Sequence, residues 1–183
     1  MRKNRVFGVV VMAPPDLSRW VNRVRRFYDP NFSLIAPHVT VLPPRPLALS
    51  RREVVEAVRT VAMTTPSLEI GLDSVGTFDP VMPVIFLRLS RGRRSLTLLH
   101  RRLSRGTLRS SEAFPYVPHL TLGQDLDGAR FRKALALSRH LFSDCFQRTH
   151  WKADALVIVE RRTENRWASL APVPLGQSRR RSR

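Results

Sequence analysis

The sequence predicts an α/β chain built as two similar lobes that face each other across a cleft, and three observations predict it. Short apolar runs alternate with amphipathic stretches, giving the order β-α-β-α-β followed by β-α-β-α-β-β. One five-residue pattern occurs twice, as Pro37-His38-Val39-Thr40-Val41 and Pro118-His119-Leu120-Thr121-Leu122. The first strand starts 32 residues before His38, and its counterpart at Val84 starts 35 residues before His119. The repeat unit is therefore about 80 residues, far longer than a solenoid period.

Each element has its own warrant. Residues 6–12 are rich in valine and bounded by Pro14-Pro15, which reads as a central strand. Asp16 is placed to cap a helix in which Leu17, Trp20, Val21, Val24, Phe27 and Tyr28 form an apolar stripe and Arg19, Arg23 and Arg26 face water. Asp29-Pro30-Asn31 ends it. Residues 38–42 read as a short strand confined between Pro37 and Pro43-Pro44. Ser50-Arg51-Arg52-Glu53 is a capping box opening a helix to about Met63. Residues 68–77 and 83–90 read as paired strands turned by Asp79-Pro80, and Leu96, Leu99 and Leu103 mark a third helix over 94–105. A connection over 106–117 leads to a strand at 119–122. Asp127-Gly128 then starts a helix with Phe131, Leu135 and Phe142 on one face, and strands over 155–160 and 167–171 close the fold. The whole is read as one domain over residues 1–174, with lobe-forming repeats of about 5–80 and 83–172. Residues 175–183, ending Arg179-Arg180-Arg181-Ser182-Arg183, are expected to form a disordered basic tail.

Composition limits the function classes. With 183 residues, 43% hydrophobic and 25% charged, the chain can bury a core, which excludes a mainly disordered protein. The lone Cys145 excludes a disulfide scaffold and a cysteine-rich zinc site. The basic start and the apolar run over 6–13 end in Pro14-Pro15 without a small-x-small cleavage site, and no 18 uncharged apolar residues occur in a row. A cytoplasmic monomer away from membranes is expected. The net charge of +18 points to a polyanionic partner. Eight arginines between positions 88 and 109, with no acid among them, are the candidate phosphate-tracking patch.

The repeated pattern carries the chemistry. Residues i and i+2 of a strand share a face, so His38 projects with Thr40 and His119 with Thr121, while Val39, Val41, Leu120 and Leu122 anchor the opposite face. Lobes packed about a pseudo-two-fold bring two imidazoles and two hydroxyls to one volume. One neutral histidine can act as general base and one protonated histidine as general acid in displacement at phosphorus, with the threonines donating to non-bridging oxygens. The sequence has no His-Glu-x-x-His, paired cysteines or carboxylate cluster, so no metal or cofactor is expected. Arg45, just after the first motif, is a candidate for a substrate phosphate, as is Arg88 in the arginine run. Tyr116, Phe114 and Phe32, ahead of the two motifs, are candidates to stack a base; Tyr116 has the better claim, and core packing is the expectation for Phe114 and Phe32. His100, His140 and His150 lack the motif's frame and read as surface or helix histidines.

Two His-x-Thr-aliphatic strands about 80 residues apart resemble the two-histidine (2H) phosphoesterase superfamily, which includes 2'-5' RNA ligase-like proteins and 2',3'-cyclic phosphodiesterases. The resemblance spans roughly residues 5–172. It implies a bilobal α+β fold with a small, mainly antiparallel sheet and two helices in each lobe, and catalytic roles for His38, Thr40, His119 and Thr121. It also implies metal-independent cleavage of 2',3'-cyclic phosphate or 2'-5' phosphodiester bonds in RNA or nucleotides. The alternatives are a non-catalytic RNA-binding module on the same fold, or ligation as the reverse reaction. The chain departs from that family at Gly123-Gln124, where many members carry a basic residue, and at Leu42-Pro43-Pro44-Arg45-Pro46.

Overall fold

The computed structural model describes residues 4–145, 149–163 and 166–176, without the side chains of residues 144, 145 and 171. Along the chain run β1 (Arg5–Met12), α1 (Pro15–Tyr28), β2 (His38–Leu47), α2 (Arg51–Ala62), β3 (Leu68–Thr77), β4 (Ile85–Arg91) and α3 (Arg93–Leu103). They are followed by a 3₁₀ turn (Gly106–Leu108), β5 (His119–Gly123), α4 (Gly128–Cys145), β6 (Thr149–Ala153), β7 (Ala155–Thr163) and β8 (Arg166–Pro174). The fold is α+β, as expected. Its strands form one antiparallel sheet in the order β6-β3-β4-β5-β2-β1-β7-β8.

Two four-stranded halves meet at the centre of this sheet. Among the described residues, the pair that joins them across the seam is Val39 of β2 and Leu120 of β5, the middle residues of the two His-x-Thr motifs. The halves are not the two contiguous repeats at about 5–80 and 83–172. β3, from the first repeat, pairs with β4, and β7, from the second, pairs with β1. The helices are exchanged in the same sense: α1 packs on β5 and α4, whereas α3 packs on β2 and α2. Each half therefore has four strands and two helices drawn from both repeats. Strand alternation specifies which face of a strand is buried but not which strand lies beside it.

The helices cover one face of the sheet. Leu17, Val21 and Val24 of α1, Val54 and Val58 of α2 and Leu96, Leu99 and Leu103 of α3 join Val39, Val41, Leu120 and Leu122 in a single core. The histidines and threonines thus project from the opposite, concave face. α2 opens with the expected capping box, the Ser50 hydroxyl accepting from the Glu53 amide and the Glu53 carboxylate from the Ser50 amide, an arrangement that stabilises a helix start by about 1 kcal/mol.

Local differences have local causes. Pro14 takes the N-cap of α1 and Pro15 its first position, so Asp16 lies within the first turn, paired with Arg19, rather than capping. β2 runs on through Pro43-Pro44 to Leu47. Register irregularities opposite β1 accommodate the prolines, and beyond Val39 the other edge of β2 has no strand partner to lose. The sequence does not predict β6, because the alternation over Thr149–Ala153 is only five residues long; among the described strands it pairs with β3 alone, at the sheet edge. Asp127 caps α4 through the amides of Ala129 and Arg130. Leu175 and Gly176, assigned to the tail, instead pack: Leu175 is buried and its amide donates to the Asp154 carbonyl, while the Gly176 amide donates to Ala62. The rest of the tail, 177–183, and the Cys145 thiol lie outside the described residues. No helix among the described residues is long and apolar enough to cross a membrane.

Candidate functional site

The concave face holds a cleft of about 1070 Å³ lined by His38, Thr40, His119 and Thr121 together. The sequence-predicted constellation is thus assembled at the seam where β2 and β5 touch. The two imidazoles are held alike. Nδ1 of His38 lies 2.8 Å from the Ala36 carbonyl oxygen, and Nδ1 of His119 lies 2.7 Å from that of Val117, each two residues upstream. A carbonyl can only accept, so Nδ1 carries the proton and Nε2 is the nitrogen left for chemistry in both rings.

Burial pushes both imidazoles below the ordinary histidine value. The carbonyl bond opposes this at each site, and at His38 the Arg25 charge adds to the lowering, Asp29 opposes it and His119 lowers it further. Desolvation is the largest effect on each ring, and the charge of His119 is the smallest of those acting on His38.

The flanks of the site are unlike. Phe78 and Phe86 pack against each other at 4.3 Å, and each lies 5.0 Å from the His119 ring. Beside His38, Arg25 and Asp29 form a buried ion pair at 2.7 Å from α1. Asp29 also accepts from the Gln124 side-chain amide at 2.8 Å, and the Gln124 main chain donates to the Tyr28 carbonyl. That carbonyl lies 2.9 Å from where a Cβ on Gly123 would stand, so glycine is required for α1 to end there. The residue after Gly123 therefore braces the site in place of a free cation. Arg25 could have been found in the sequence, because it falls on the apolar stripe of α1 between Val21 and Tyr28, four residues before Asp29.

The remaining candidates divide. Arg45 lines the cleft but is only 3% exposed, and its guanidinium is occupied: it donates to the carbonyls of Pro43 and Leu108 and pairs with Glu112. It fastens the loop before β5 instead of waiting for a phosphate. Tyr116 is likewise structural, its hydroxyl donating to the Thr40 carbonyl at 2.8 Å, and burial and the Glu112 charge push its phenol well above the usual range. His100, expected at a surface or on a helix, is buried on α3. It contacts the Val41 carbonyl at 2.9 Å, lies 3.3 Å from Glu112 and stacks on Tyr116 at 3.9 Å. Together His100 and Tyr116 occupy the gap where β2 and β5 diverge. Its place four residues after Leu96, on the buried face of α3, was a legible signal. Phe32 is 38% exposed and outside the cleft lining, while Phe114, expected in the core, stands 52% exposed at the mouth. Arg88 is the cross-strand neighbour of His119 but lies over Phe86, outside the lining. Among the described residues no three His, Cys, Asp or Glu side chains are grouped to hold a metal.

Removing the Tyr116 hydroxyl tests the brace. Tyr116→Phe is expected to lower stability by about 1 kcal/mol, measured by urea unfolding, because the Thr40 carbonyl loses its donor while the stack on His100 is kept.

A family model described as the 2'-5' RNA ligase superfamily matches residues 13–165. A protein of Oceanobacillus iheyensis with a provisional phosphoesterase name is 32% identical over 132 residues, covering 70% of this chain and 76% of the relative. One of Geobacillus kaustophilus, similarly named, is 29% identical over 126 residues, covering 68% and 72%. Escherichia coli LigT, solved with 3'-AMP, has the same fold at a TM-score of 0.63 and 17% identity, covering 96% of this chain and all of that one.

Proposed function

The chain belongs to the 2'-5' RNA ligase superfamily, and on that premise we propose that it is a metal-independent phosphodiesterase cleaving 2',3'-cyclic phosphate or 2'-5' phosphodiester bonds in RNA or nucleotides. One observation carries the proposal: two buried imidazoles, each fixed through Nδ1 to a main-chain carbonyl and each with a threonine two residues on, line one cleft. The neutral histidine takes a proton from the attacking water through Nε2 as the water oxygen bonds to phosphorus. The protonated one gives its proton to the departing ribose oxygen as the P–O bond breaks. Thr40 and Thr121 donate to the non-bridging oxygens, where charge builds up. The protein acts as a cytoplasmic monomer.

The test is hydrolysis of a nucleoside 2',3'-cyclic phosphate and of a 2'-5' linked dinucleotide in the presence of EDTA. Turnover that survives chelation supports the proposal, and turnover that needs added metal overturns it. The pH dependence follows from the burial of the rings. Because both are lowered in the free protein, the bell for kcat/KM is expected to centre on the acid side of about 6.5. A bound phosphate anion favours the imidazolium, so the bell for kcat is expected at higher pH. Below about pH 6.5 the unfolded chain takes up protons that the folded histidines resist, so stability falls as pH falls through that range.

A further inference from the structure

The two motifs are alike, but the sheet faces that flank them are not. In the half that carries His119, the rings of Phe78 and Phe86 fill the concave face. In the half that carries His38, the cleft floor consists of Gly8, Val10, Pro44, Val159 and the Leu42 main chain, with no aromatic ring on it. Gly8 and Val159 are cross-strand partners, as are Val10 and Thr40. A Cβ on Gly8 would stand 3.3 Å from both the Leu42 carbonyl oxygen and the Val159 side chain, so glycine keeps this floor low. At the far end of the floor, Arg161 of β7 and Trp167 of β8 are cross-strand partners, and both line the cleft.

Arg161 is uncommitted. Glu160, on the other face of the strand, collects Arg5, Arg51 and Arg162, and among the described residues Arg161 makes no ion pair. At about 3.4 Å per residue, Gly8 lies about 7 Å along the sheet from the Val10–Thr40 pair, and Val6, the β1 neighbour of Arg161, about 14 Å from it. That is room for a nucleoside and one phosphate beyond it.

We infer that the Gly8–Val159 floor is a nucleobase subsite closed by Trp167, and that Arg161 takes a second phosphate, on the 5' oxygen of the nucleotide whose 2' or 3' phosphate lies at the histidines. The substrate class is then the end of an oligonucleotide rather than a free nucleoside cyclic phosphate. The chemistry fits: a flat apolar floor edged by an indole suits the face of a base, and a guanidinium fork suits phosphate. This inference rests on the phosphodiesterase reading for its choice of substrate, and a binding measurement separates the two.

The probes are adenosine 2',3'-cyclic phosphate with and without a 5'-phosphate for turnover, and adenosine 3',5'-bisphosphate and adenosine 3'-phosphate for binding by calorimetry. Wild type is expected to favour the 5'-phosphorylated member of each pair by about tenfold. Arg161→Gln is expected to erase that preference while still accepting the unphosphorylated probe. Trp167→Ala is expected to weaken both probes about tenfold through KM, with Trp167→Phe restoring most of the loss. Equal affinity of wild type for the two members of the binding pair, or a preference unchanged in Arg161→Gln, overturns the subsite. If neither cyclic probe is hydrolysed, the reading of these as substrates fails, and the binding arm still decides the subsite.

Discussion

Replacing either His38 or His119 with alanine is expected to lower kcat by at least about 10³-fold, measured on the cyclic nucleotide substrate with folding checked by circular dichroism. The size follows from what each ring supplies. Nε2 is the reactive nitrogen of both because main-chain carbonyls engage Nδ1. Neither threonine can replace it, since a hydroxyl is neither a competent base nor a competent acid near neutral pH. The two losses are not expected to add. Once one ring is gone the proton relay is broken, and the double variant should be little worse than either single one. Binding of a nucleoside 2'- or 3'-phosphate should survive in both variants, because the threonines and the cleft walls are untouched. A His38→Ala protein that retained more than a tenth of the wild-type rate would exclude the two-histidine mechanism.

Asp29→Asn is expected to destabilise the fold by about 3–5 kcal/mol, measured by urea unfolding, and to move whichever limb of the kcat/KM profile reports His38 further to acid. Both effects arise from one carboxylate. Asp29 is almost wholly buried, pairs with Arg25 and accepts from the Asn31 amide and the Gln124 side chain. Asparagine keeps the shape but leaves the Arg25 guanidinium buried without its counter-ion. The carbonyls of Ile35 and Asn31 remain within its reach, but they supply dipoles and no charge. Asp29 also opposes the lowering that Arg25 imposes on His38. With the carboxylate gone the Arg25 field is no longer countered, and His38 holds its proton only at lower pH. A loss below about 1 kcal/mol with both limbs unmoved would mean that the carbonyls alone satisfy Arg25.

Both variants test side chains of the same cleft, yet only the histidines and threonines could be brought together there from the chain alone. A strand of period two fixes that His38 and Thr40 share a face, and a second copy of the pattern fixes that they have counterparts. Arg45 shows where this reasoning stops. A lone arginine after a motif reads equally well as a phosphate ligand or a brace, and what decides is Glu112, 67 residues away in sequence and in contact with it in space. His100 and Tyr116 raise the same difficulty, since the β2 carbonyls they engage, those of Val41 and Thr40, lie just beyond the residue pair that joins β2 to β5.

The sequence by itself determined the element order, the α+β class, the duplicated motif and the four side chains that converge, because periodicity and punctuation are local and each copy of the motif carries its own frame. Only the tertiary structure decided that the repeats exchange β3 and β7, that Arg45 and Tyr116 brace a loop, and that the cleft is filled by aromatic rings beside His119 but open and low-floored beside His38. The physical reason is common to all three: each depends on which distant segment supplies the neighbouring strand, the counter-charge or the ring, and pairing across long sequence separations leaves no period in the chain to read.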